Sequence, residues 1–266
     1  MSSPKEHVLN KRLVSCLGGK PRQIAEMLIA DKEVSYLQDY ANTVSIKRLH
    51  YNDHGPVHMR MVAINACIMA DILRKAGIPS SLEEEECGTW EDSLSAMVLS
   101  AFLHDCGMSV GREDHEVSSA ILTLPIAGRI LESVYDGDPE KQIILKSLFT
   151  ECVLGHMATR KIHSLEAGII LIADGCDMQK GRARIPMLID TESKPGDIHK
   201  YSASAIESVK ISRGKEKPIH ISVSMNESVG FYQIEEVLLR KVNVSPARNF
   251  IELEAKVEGG QVKRYL

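Results

Sequence analysis

Between residues 21 and 172 the apolar positions recur at three- and four-residue spacing, with little alternation. That period puts them on one face of a helix rather than on one side of a strand. Pro56 suits a first helical turn and opens a helix through "VHMRMVAINACIMADILRKAG", which Gly77 and then Pro79 bring to an end. A second helix is predicted over 92–105, a third from near His115 with a disturbance at Pro125, and a fourth over 139–156. A fifth holds "SLEAGIILIADGCDM". After Met178 the texture changes. "QKGRARIPMLIDTESKPGDIHK" is rich in Gly, Pro and charge and reads as a loop. "PIHISVSM" alternates as a strand does, "VGFYQIEEVLLRKV" reads as a helix, and "FIELEAKV" alternates again. The expected fold class is mainly α, a helical body with a small α+β C-terminal appendage. The expected divisions are a helical extension at 1–50, the body at 51–216 and a β-α-β subdomain at 217–266.

Composition narrows this picture little. The 266 residues are 44% hydrophobic and 26% charged, which is enough for a sizeable core. A net charge of -4 argues against broad, sequence-independent nucleic-acid binding. No uninterrupted apolar run reaches bilayer length, and "MSSPKEHVLNKR" lacks the apolar core of a secretory signal. None of the six cysteines forms a CxxC pair, so reduced thiols in a cytoplasmic protein are expected, with no membrane partner. An exposed strand edge in the appendage makes a homodimer an expectation.

The chemistry gathers on inward faces. In the second helix Leu94, Met97, Val98 and Ala101 form an apolar stripe, and His104 and Asp105 continue it. A buried carboxylate needs a cation or hydrogen-bond donors. His58 lines up with Met61, Val62, Asn65, Met69 and Ile72; His156 closes the stripe of Leu145, Leu148, Phe149 and Cys152. Asp174 follows Ile170 by one turn in a nearly all-apolar helix, with Asp177 beyond it, and His115 opens the third helix. His54 has helical spacing to His58, but Gly55 and Pro56 intervene and place it outside the helix. Any one of these residues alone reads as a hydrogen-bonded core histidine or a helix-terminal carboxylate. Six on the inward faces of five helices read as a metal site. A mixed His/Asp set without thiolate suits Mn, Fe, Co, Ni, Mg or Zn and leaves positions for water and substrate.

The order His58, the doublet His104-Asp105, then Asp174 resembles the HD superfamily of metal-dependent phosphohydrolases. "HMRMVAINA" is similar to that family's first-histidine motif, "AFLHDCG" to its doublet and "LIADGCDM" to its terminal aspartate motif. The resemblance covers roughly residues 54–178, and "HDCGMSVGREDHEVSSA" is most similar to an archaeal or bacterial branch of uncharacterised HD proteins. It implies an HD-domain helical bundle with His58, His104, Asp105 and Asp174 as ligands of one divalent ion. His115 and His156 stand where two-metal members carry two further histidines, and Asp105 would then bridge the ions. The cyclic-dinucleotide subgroup is a poorer match: its GYP motif is missing, Met157 follows His156, and Met108 stands where that subgroup has a lysine.

The activity implied is hydrolysis of a small phosphorylated substrate, a phosphomonoester or nucleotide, with one or two divalent ions as cofactor. Asp105 and His104 form the catalytic centre, with Asp105 orienting or deprotonating the attacking water. Lys180, Arg182 and Arg184 after the last aspartate, and Arg112 before His115, are the candidate phosphate-binding residues, with Arg160 a weaker one. The alternatives are a cyclic nucleotide or dinucleotide phosphodiesterase, a non-catalytic ligand sensor on the same body, and a di-iron oxygenase.

Overall fold

The computed structural model describes residues 3–178 and 198–266. Three helices, α1 (Pro4–Cys16), α2 (Gly19–Ala30) and α3 (Lys32–Thr43), precede a π-turn at Val44–Arg48. Then come α4 (Pro56–Lys75), the short α5 (Ser81–Glu84), α6 (Trp90–Leu103), α7 (His115–Val134), α8 (Pro139–Gly155), α9 (Leu165–Cys176) and α10 (Ile198–Ser204). Their starts are written in the sequence. Ser3, Ser80 and Thr89 form capping boxes with Glu6, Glu83 and Asp92, while Asp31, Asp138 and Ser164 accept first-turn amides. Pro56 and Pro139 occupy first turns as expected, where a missing N–H costs nothing.

The centre of the body is α6, and here the one-sided stripe gives way to a helix buried almost all round. It packs against α2, α4, α8 and α9. Leu99, Phe102 and Leu103 are fully buried, each contributing about 1.5–3 kcal/mol of transfer free energy. Two of its serines are satisfied inside the helix, Ser100 Oγ donating to Ala96 O (2.8 Å) and Ser95 Oγ to Glu91 O (3.0 Å), while Ser93 Oγ donates to Glu166 Oε1 of α9 (2.6 Å). Pro125 does not end the helix, and α7 continues through it. Pro125 faces solvent, so water can take up the carbonyl that its missing N–H leaves behind.

Helices α4 and α7 are each 20 residues long and each contains an 18-residue stretch of mean hydropathy 1.3, long and apolar enough by length and composition alone to cross a bilayer. Neither is an uninterrupted apolar run, since Arg60 and Asp71 break α4 and Glu116, Arg129 and Glu132 break α7. Both also carry buried ionisable residues at their N-terminal ends, His58 and Arg60 on α4, His115 and Glu116 on α7.

The C-terminal part is a four-stranded mixed sheet in the order β1 (Ile206–Arg213), β2 (Ile219–Met225), β3 (Ile251–Val257), β4 (Val262–Arg264). β1 and β2 form an antiparallel pair, β2 and β3 run parallel, and β3 and β4 are antiparallel. Between β2 and β3 three contiguous helical pieces, Gly230–Gln233, a π-turn at Ile234–Leu238, and Leu239–Val244, run on as α11. This is the β-α-β unit read from the sequence, flanked by two strands that were not. The loop expected over 179–200 lies mostly outside the described residues. The buried side of the sheet presents Ile219, Ile221, Val223, Ile251 and Leu253, and these join one continuous core with α1–α9. The first two strands touch α4, and α11 lies along α9.

Candidate metal centre

The C-terminus of α6 delivers His104 and Asp105 into the middle of the helical body, and both are essentially fully buried. The chain then makes a 3-10 turn at Cys106–Ser109. Gly107 is required there: a Cβ would lie 2.0 Å from His115 O and 2.5 Å from Ser119 N. That close approach, secured by the Gly107 amide donating to Ser119 Oγ at 2.7 Å, brings the start of α7 and hence His115 against the doublet. A buried network holds the other side. Gln38 of α3 donates to Phe102 O (2.7 Å), Arg60 of α4 donates to Gln38 Oε1 (2.9 Å), and Arg60 also reaches Asn10 of α1 (2.7 Å). These bonds fix the ends of α4 and α6, each two residues from a site histidine. Asn65 ties α4 to α9 through Ala173 O (3.2 Å).

The six expected ligands converge. Asp105 presents one oxygen to each of two histidine pairs. Its Oδ2 lies 3.2 Å from His58 Nε2 and 3.4 Å from His104 Nε2. Its Oδ1 lies 3.3 Å from both His115 Nε2 and His156 Nε2. Asp174 Oδ1 adds to the first pair, 3.1 Å from His58 Nε2 and 3.8 Å from His104 Nε2.

The tautomers are fixed by geometry. His104, His115 and His156 each bring Nδ1 to a backbone carbonyl, of Ala101 (3.0 Å), Arg112 (2.9 Å) and Val153 (2.7 Å). A carbonyl only accepts, so Nδ1 carries the proton. His58 Nδ1 faces Asp177 Oδ2 at 2.7 Å, with the same consequence. In neutral rings all four Nε2 atoms then turn lone pairs inward. Yet His58 and His104 bring theirs to 3.3 Å, and His115 and His156 to 3.1 Å. Two facing acceptors repel unless a cation lies between them. Nitrogen and oxygen donors about 2.1 Å from one ion lie roughly 3.0–3.4 Å apart, the spacing seen here. The residues therefore fit a divalent ion at each of two groups, His58/His104/Asp105 and Asp105/His115/His156, all buried.

Protonation agrees with ligation. Burial pushes the His156 imidazole down to about 4, aided by His104 and His115 and opposed by Asp105, so it is neutral at pH 7. Burial would raise the Asp105 carboxyl, but His104, His54 and His115 outweigh it and hold the group well below the usual range. Asp174 is likewise held low against the effect of burial, chiefly by Lys241 and His58.

Lys241 of α11 is the residue the sequence reading missed. Its Nζ bonds Asp174 Oδ2 and donates to His156 O at 2.8 Å. The signal was present in "EEVLLRKV": Lys241 falls three residues after Leu238 and seven after Ile234, on the apolar stripe. Asp177, noted only as one turn beyond Asp174, is the partner that orients His58. His54 is outside the ligand groups, with Nδ1 against Asn52 O (2.6 Å) and its ring 6.0 Å from that of His58.

The phosphate-binding candidates divide. Lys180, Arg182 and Arg184 lie outside the described residues. Arg112 stands over the Tyr51 ring (5.5 Å to the centroid) and, with Arg160, lines a cavity of about 400 Å³. The buried His115 and Glu116 and the exposed Thr159 also line it, and Thr159 Oγ1 donates to Glu116 Oε1 at 3.0 Å.

No family model matches the chain, and no solved structure matches it. The uncharacterized protein MJ1020 of Methanocaldococcus jannaschii is 40% identical to it over 245 residues, which is 92% of each chain. The chain belongs to the same family as that archaeal protein.

Proposed function

We propose that the protein is a divalent-metal-dependent phosphohydrolase of the HD type, acting on a phosphomonoester or nucleotide. One observation carries the reading: Asp105 offers its two oxygens to two histidine pairs whose Nε2 atoms all point inward. His58, His104, Asp105 and Asp174 would hold one ion, and Asp105, His115 and His156 a second. Ions held there supply Lewis acidity, which lowers the pKa of water and offsets charge growing on a phosphoryl group.

The protein's own groups do the rest. Asp105 is ionised, and its fixed carboxylate orients an attacking water and can take up its proton. The hydrogen bonds from Nδ1 to Ala101, Arg112, Val153 and Asp177 keep the imidazoles in one tautomer and one orientation, a role whose loss typically weakens metal binding. Arg112 and Arg160, which line the cavity beside His115, would bind phosphate oxygens of an incoming ester.

Elemental analysis of the purified protein, followed by a screen of phosphate esters with added Mn, Co, Ni or Mg, tests this directly. Metal is expected in the wild type and lost in Asp105→Ala, with release of inorganic phosphate from at least one ester. A metal-loaded protein that cleaves none of them overturns the enzymatic reading.

A further inference from the structure

The geometry assigns Lys241 as a positioning residue of the metal centre, a fixed cation from the C-terminal subdomain that occupies one oxygen of Asp174 and leaves the other for the ion. The inference rests on the metal site proposed above. Lys241 is only 7% exposed. Its Nζ meets Asp174 Oδ2, while Asp174 Oδ1 faces His58 and His104. The same Nζ holds the His156 carbonyl, so one ammonium braces a residue of each ligand group.

Its position follows from packing. On α9, Gly168 and Gly175 lie seven residues apart, two turns along one face. A Cβ on Gly175 would sit 3.1 Å from Lys241 Cδ and 3.2 Å from Leu238 Cδ1, and one on Gly168 would sit 2.6 Å from Ser245 Oγ. The two glycines let α11 and the turn after it lie close against α9, within reach of a lysine side chain. The π-turn at Ile234–Leu238 ends three residues before Lys241 and shifts the helical register that aims it.

The consequence is chemical. A carboxylate with both oxygens available can chelate a cation, using two of its coordination positions. With Oδ2 held by Lys241, Asp174 contributes one, and a further position is left for water or substrate. A purely structural ion pair would stabilise the docking of α11 without altering how Asp174 binds metal.

Cobalt(II) separates the two roles, since its visible absorption weakens as coordination number rises. The full-length protein is loaded with Co²⁺, and spectrum and affinity are compared for wild type, Lys241→Met and Leu238→Ala. The last removes packing on the same helix and leaves the charge in place. Lys241→Met is expected to weaken the visible bands and, with a second Asp174 oxygen freed and a neighbouring positive charge removed, to raise Co²⁺ affinity by roughly 10-fold. Leu238→Ala should lower thermal stability and leave both unchanged. If Lys241→Met matches wild type, or if Leu238→Ala changes spectrum and affinity as much, the assignment is wrong. Should Lys241→Met fail to fold, Lys241→Leu, which keeps apolar packing without a donor, is judged by the same two criteria. Wild type that binds no Co²⁺ refutes the metal site itself, whereas wild type that binds it alongside an unaltered Lys241→Met refutes only the role of Lys241.

Discussion

A histidine's place on an apolar helical face is readable from spacing, but its tautomer is not. His104, His115 and His156 become ligand candidates because a carbonyl three residues back takes the Nδ1 proton in each case. That repeated local bond makes them chemically alike despite belonging to different helices. It also predicts the pH response of the metal-free protein. His156 falls from the ordinary 6.5 to about 4 on folding, so between these values the unfolded chain binds more protons. Stability contributed by a neutral His156 is therefore lost as pH falls from about 6.5 toward 4. The carboxyls of Asp105 and Asp174, held below their ordinary 3.8, add a further loss at lower pH. Denaturant melts of chelator-treated protein between pH 7 and pH 4.5 should show falling stability, with a shallower slope in His156→Asn. An unchanged slope in that variant would sink the assignment. The candidate set was legible because His58, His104, Asp105, His156 and Asp174 fall on otherwise apolar stripes, and His115 because it stands where two-metal members of the resembling family carry a further histidine. Lys241 was equally on a stripe, yet a lysine near a helix end ordinarily extends its ammonium to water, and nothing local distinguishes this one.

Elements were legible where period and caps agree. Pro56, Pro139, Thr89 and Asp138 mark helix starts through side-chain chemistry that operates within four residues. Strands β1 and β4 carry no such mark. β1 is an edge strand with a register shift between Ile206 and Ser208, so its apolar positions lose the two-residue period. β4 is three residues long and exposed throughout. Pro125 failed as a breaker for a tertiary reason: the apolar face of α7, with Thr123, Ile126, Ala127 and Ile130 buried, holds the helix together while the proline points outward. The missing hydrogen bond still costs free energy. Pro125→Ala should restore it to Ile121 O and raise stability by roughly 1–3 kcal/mol. Thermal melts check this, and a destabilised variant would mean the proline ring packs against something that matters.

Over the whole molecule, the N-terminal helices and the sheet contribute to the same core as the helices that carry the ligands. Holding Asp105 ready for metal has a cost, since buried charges and facing lone pairs destabilise the empty centre. Metal should therefore act as a strong stabiliser. Addition of Mn²⁺ or Co²⁺ to chelator-treated protein at about 100 times its Kd is expected to add roughly 2.7 kcal/mol, seen as a rise in Tm that His104→Ala abolishes. No rise in the wild type would count against any tight site.

The bonds that complete the centre join distant parts of the chain: His58 and Asp177 are 119 residues apart in sequence, and His156 and Lys241 are 85. Such long-range closures form late, after the local helices. On a ribosome, where the N-terminal part emerges first, the full ligand set with its lysine brace can assemble only after α11 has been synthesised. A nascent chain that stops short of α11 thus carries all six candidate ligands but not their brace, and the finished centre is an act of the completed protein.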